Sequence, residues 1–187
     1  MGEIKSAWEI AQEKADKLGE LSPEERAKQR EDRCRPIGKS LAEKYLSQHD
    51  TQYLEAELNK QNSEDRELIS QTVLQALIER IDLRYGLILD KISQGILSLA
   101  KTETAVETVG KIKELFQEYR ETEKVERQEI ERAGGEILHQ LRISGTAISQ
   151  INIQAREDWQ KKLNQLARPF EEKLDRLKHE LSASARV

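Results

Sequence analysis

Glu136-x-x-His139 is the pair whose residue types and spacing come closest to metal chemistry. Three positions apart, the two side chains share one helix face, as in helical di-iron carboxylate sites. Those sites need two such pairs and glutamates from two further helices. The other histidines are His49, with Leu46 at the matching place, and His179, with Arg176, so a single pair stands alone. Glu136 and His139 are the candidate metal ligands of the sequence, set against the plainer expectation of a solvated histidine on an amphipathic helix. No cofactor is expected.

Gly38-Lys39-Ser40 has the form of the end of a phosphate-binding loop. The full pattern needs a glycine where Arg33 stands, and a hydrophobic strand where the chain is charged. Cys34 is the only cysteine, so no intramolecular disulfide can form. In Arg33-Cys34-Arg35 the flanking cations would lower a thiol pKa. The plainer expectation is an incidental thiol on a charged segment. There is no cysteine–histidine array for zinc, no G-x-S-x-G turn and no glycine-rich dinucleotide loop. Asp90 interrupts an otherwise apolar face, which points to a salt bridge between helices rather than a catalytic acid. Arg26, Lys28, Arg30, Arg33, Arg35 and Lys39 are interleaved with Glu24, Glu25, Glu31 and Asp32, which argues against a segregated phosphate-binding face.

These residues must be positioned by helices. Of the 187 residues 35% are charged and 4% aromatic, with three prolines and nine glycines, the composition of long helices rather than of a many-stranded sheet. The net charge of -4 speaks against a general nucleic-acid binder. No apolar run approaches the roughly 20 residues that span a bilayer, so membrane insertion is not expected. The start shows no secretory signal pattern, and Met1-Gly2 with Ser6 fits myristoylation poorly beside Glu3.

Ile4, Trp8, Ala11, Ala15 and Leu18 form one stripe, which predicts a helix over about 3–18 ended by Gly19. Ser22-Pro23-Glu24-Glu25 starts the next, with Ser22 as cap, Pro23 at the first position and Glu25 closing a capping box. The charged run to Arg35 buries little by itself, and Pro36 is expected to interrupt it. Ile37, Leu41 and Tyr45 predict a short helix beyond, and Asp50 and Thr51 offer a cap for another through Tyr53, Leu54 and Leu58. The polar stretch Asn59 to Ser63 divides the chain into a helical arm, 1–62, and a long-helix body, 63–187.

In the body, Leu74, Leu77, Ile81, Tyr85, Ile88, Ile92 and Leu99 line one face of a helix expected over 68–100. Leu83, Leu87 and Leu97 lie on the opposite side. Ala105, Val109, Ile112, Phe116 and Tyr119 continue as a heptad seam. The apolar phase drifts smoothly across 101–104, which favours one helix over 64–133; a turn near Thr102 would instead give a three-helix bundle. Ala133-Gly134-Gly135 is the expected reversal, followed by a helix over 136–181 with a kink or restart at Pro169. Residues 182–187 carry no burial pattern. The fold expected is all-α, an elongated antiparallel helical hairpin or coiled-coil-like bundle with a short-helix N-terminal arm.

The opening Glu3-Ile4-Lys5-Ser6-Ala7-Trp8-Glu9-Ile10-Ala11-Gln12-Glu13-Lys14, followed by Leu21-Ser22-Pro23-Glu24-Glu25, resembles an uncharacterised family of small bacterial helical proteins. The resemblance covers about the first 50 residues. It implies a bacterial, cytoplasmic protein and carries no known activity, so it transfers no functional residues.

Long stripes without a catalytic cluster point to a non-enzymatic scaffold, adaptor or stalk acting through protein–protein contacts. A homodimer or a helical protein partner is expected, with Leu83, Leu87 and Leu97 as interface. The alternatives are a helical-bundle metal-binding protein using Glu136 and His139, and a nucleic-acid-associated coiled-coil protein.

Overall fold

A computed structural model describes residues 22–140 and 157–184. The expected helix over 3–18, the part of the last helix over 141–156 with Gly145, and residues 185–187 lie outside the described residues. Every regular element among the described residues is helical, so the chain is an all-α bundle. In chain order these are α1 (Pro23–Gln48), α2 (Thr51–Asn59), α3 (Ser63–Glu79), a 3-10 turn (Leu83–Ile88), α4 (Leu89–Leu99), α5 (Glu103–Gln140) and α6 (Glu157–Ser184).

The start of α1 follows its sequence. The Ser22 hydroxyl accepts from the Glu25 N–H at 3.1 Å, and the Glu25 carboxylate accepts from the Ser22 N–H at 2.8 Å. Pro36 does not interrupt the helix as expected; α1 runs through it. An internal proline removes the bond to the Asp32 carbonyl and costs about 3 kcal/mol. Contacts on both sides offset that cost. Arg30 pairs with Glu64, Arg33 pairs with Asp65 at 2.6 Å, and Cys34, Leu41, Ala42 and Tyr45 are buried.

The α1 and α3 helices run parallel, with α2 returning the chain between them. Arg33 meets Asp65 near the start of α3, and Gly38 meets Thr72 further along. A Cβ on Gly38 would sit 2.6 Å from the Thr72 Cβ, so its glycine serves close helix approach rather than a phosphate loop. Asp50 caps α2 by accepting from the Tyr53 N–H at 3.0 Å. Asn62 caps α3 by accepting from the Asp65 N–H at 2.8 Å.

The helix expected over 68–100 is two helices and a turn. The α3 helix ends at Glu79, and the Asp82 side chain accepts from the Arg84 N–H at 2.9 Å to open the 3-10 turn. Another break separates α4 from α5, where Thr102 accepts from the Ala105 N–H at 3.3 Å. The turn near Thr102 is therefore real, and 64–133 is not one helix. Conversely, Gly134-Gly135 makes no reversal: α5 continues to Gln140. Glycine permits a turn without compelling one, and 38 residues of helix, ~57 Å at 1.5 Å per residue, pass through the pair. Pro169 likewise lies inside α6 without restarting it.

The α5 and α6 helices form an antiparallel pair. Tyr119 packs edge-on against Phe170 with centroids 5.4 Å apart, while Glu126, further along α5, meets Lys162, earlier on α6, at 2.5 Å. The core is continuous from Cys34 and Tyr45 through Leu77, Ile92 and Ile112 to Leu181, so it crosses the division at residue 62. Tyr45 joins α1 to α4: its hydroxyl donates to the Lys91 carbonyl at 2.7 Å, and its ring occupies the space above Gly95.

Candidate interaction surface

The three leucines expected to form one interface strip are separated by the break in the helix. Leu83 is buried in the core, Leu97 is half-buried against it, and Leu87 stands 91% exposed. The spacing rule holds only on a continuous helix, and residues 80–88 do not form one. Tyr85, expected on the buried face, is instead 60% exposed, with a non-helical backbone at φ -111 and ψ 37. Leu83 anchors the turn from beneath while Tyr85 and Leu87 project from it.

The surroundings of this projection are cationic. Leu83, Arg84, Gly86 and Leu87 from the turn, with Tyr119, Arg120, Glu123 and Arg127 from α5, line a recess of about 340 Å³. Asp82 holds Arg84 through a forked contact, 3.0 Å to Nε and 2.5 Å to Nη2, and Arg84 lies 5.9 Å from the Tyr85 ring centroid. The same contact keeps the Asp82 carboxyl below its ordinary pKa, chiefly through the hydrogen bond from Arg84. Glu123 accepts from Arg127 at 2.7 Å one helical turn along. The Arg120 guanidinium covers Gly86, where a Cβ would stand 2.4 Å from Nη2. On the exposed face, Asp90 pairs with Lys113 at 2.7 Å and ties α4 to α5, the inter-helix bridge expected of it.

Other sequence candidates lie elsewhere. Glu136 and His139 are exposed near the end of α5, and Glu136 is 3.3 Å from Arg132. Among the described residues no group of three or more His, Cys, Asp or Glu side chains is placed to hold a metal ion. Cys34 is not an incidental surface thiol; it is 1% exposed. Its pKa is raised rather than lowered, because burial and then Asp65 outweigh Arg33. Arg30 and Arg33 are engaged by α3, and Arg35 by Glu31. No helix among the described residues is long and apolar enough to cross a membrane.

Comparison of the chain with family models, with curated proteins and with solved structures finds no match. The surface therefore has to be read from its own chemistry. Sequence reasoning singled out Leu87 but missed Tyr85, Arg84 and Arg120. The available signal was Asp82-x-Arg84 with Gly86 following, a cap and a helix-weakening residue inside the apolar stripe.

Proposed function

We propose that the protein is a non-enzymatic helical adaptor, acting in the cytoplasm through protein–protein contacts, with the turn Leu83–Ile88 and the adjoining face of α5 as its working surface. The observation that supports this reading is a leucine left 91% exposed next to a tyrosine left 60% exposed, on a turn fixed by the buried Leu83 and the Asp82–Arg84 contact. Exposed single leucines are ordinary. The tyrosine and arginines gathered beside this leucine match the composition of energetic centres in protein interfaces, where tyrosine and arginine are enriched. The Asp82 contacts that fix the turn matter because a presented side chain then loses less conformational freedom on binding.

The test compares proteins that co-purify with the full chain and with its Leu87→Ser and Val106→Ser variants, expressed at equal levels in the cell of origin. Val106 is 55% exposed on α5 and lies outside the recess, so it serves as control. The adaptor reading expects a stoichiometric partner that is lost with Leu87→Ser and retained with Val106→Ser. A partner set unchanged by Leu87→Ser would overturn it.

A further inference from the structure

The charged groups around Leu87 are layered, and the layering selects a partner. In both ion pairs flanking the recess the guanidinium is outermost. The Arg84 side chain is 76% exposed over an Asp82 that is 31% exposed, and Arg127 is 48% exposed over a Glu123 that is 25% exposed. Arg84 uses Nε and Nη2 on Asp82, and Arg127 uses Nε and Nη2 on Glu123. The Nη1 group of each makes no hydrogen bond among the described residues and remains a donor. Arg120, exposed at the same recess, makes no ion pair within 4 Å among the described residues; it only adds, from further off, to the field that Lys113 sets on Asp90. An approaching molecule thus meets three guanidiniums around one projecting leucine, with the Asp82 and Glu123 carboxylates less exposed than their arginines and the exposed Asp90 carboxylate already taken by Lys113.

Resting on the adaptor reading above, we infer that this surface binds a segment of another protein that presents an apolar side chain flanked by carboxylates. The apolar group packs on Leu87 and Tyr85, and the carboxylates take the spare Nη1 donors of Arg84 and Arg127 and the guanidinium of Arg120, the last with both edges open to a bidentate contact. A second copy of the chain fits worse. In a two-fold contact centred on Leu87 the patch faces itself, which sets arginine against arginine. An anionic bilayer is also a poorer match, because the chain carries a net charge of -4 and a single leucine gives little insertion.

The probes are two short amphipathic helical peptides, one of Glu and Leu, the other of Lys and Leu, each labelled and titrated with the full chain by fluorescence anisotropy. The Glu/Leu peptide is expected to bind, more weakly as salt rises, and the Lys/Leu peptide not to bind. Leu87→Ser and Arg120→Glu should each weaken binding by about tenfold or more. Both positions are exposed, so unchanged circular dichroism is expected and separates lost contact from lost fold. Absent binding of the Glu/Leu peptide, equal binding of both peptides, or binding indifferent to both substitutions would overturn the partner class. Leu87-dependent sedimentation with phosphatidylglycerol vesicles, without peptide binding, would reassign the surface to a membrane. If the peptide fails while a co-purifying partner still depends on Leu87, the adaptor reading survives and the acidic partner falls.

Discussion

His49 ends α1 at φ 57, the one non-glycine residue with positive φ among the described residues. Its ring meets Tyr45 edge-on at 6.3 Å, and its buried Nδ1 has no hydrogen-bond partner. Burial first, and the nearby Lys91 second, hold its pKa below the ordinary imidazole value. The neutral ring is therefore the form that the fold favours. Its contribution to stability is complete above the unfolded value near ~6.5 and is lost as pH falls below it, through the lower folded-state value. Thermal unfolding at about pH 7.5 and 5.5 should show a drop in the wild type that is smaller in His49→Asn, whose asparagine accepts positive φ. An equal drop in both proteins would place the titration elsewhere. At this scale the sequence was legible where the chemistry is local, as in the Ser22–Glu25 capping box, and illegible where neighbours decide. Cys34 reads as a thiol between two arginines; only the packing of α3 against α1 makes it a core residue shielded beside Asp65.

At the scale of the elements, helix starts were more legible than helix interruptions. A cap is a short-range hydrogen bond, so Ser22 is read directly and the α2 cap narrows to Asp50 or Thr51, of which Asp50 serves. Pro36 and Gly134-Gly135 are penalties, and a penalty ends a helix only when nothing nearby offsets it. Burial of Cys34 before Pro36 and of Leu41, Ala42 and Tyr45 after it, with the ion pairs from Arg30 and Arg33 to α3, holds the chain through Pro36, whereas the apolar stripe over 68–100 gave no warning of the Asp82 cap that divides it. The continuity of α5 through its glycines has a measurable consequence. A Cβ at Gly135 would meet nothing within 4 Å. Gly135→Ala should therefore stabilise the protein, by about 0.5–1 kcal/mol from helix propensity alone, as read by urea unfolding. A loss of stability would contradict a helical residue 135.

Across the whole molecule, the sequence predicts an antiparallel hairpin of 64–133 with 136–181; the antiparallel pair present is α5 with α6, over other bounds and without the reversal at Ala133-Gly134-Gly135. The division into arm and body was drawn from a polar stretch, yet the core runs across it, because α1 contributes Tyr45 and Leu41 to the layer that α3 and α4 complete. The candidate surface was only partly legible for the same reason. Leu87 was identified on a helix face that does not exist, and became a projecting residue because α3 stops at Glu79 and Leu83 is drawn inward.

The claim that this turn is the working surface is tested most directly by placing a photo-reactive benzoylphenylalanine at position 87, and in a separate protein at position 106, and irradiating cells of origin. The account predicts an adduct from position 87 with a different protein, mapped to a segment rich in aspartate and glutamate around an apolar residue, and abolished by Arg120→Glu. No adduct from position 87, the same adducts from both positions, or adducts only with a second copy of the chain would contradict it.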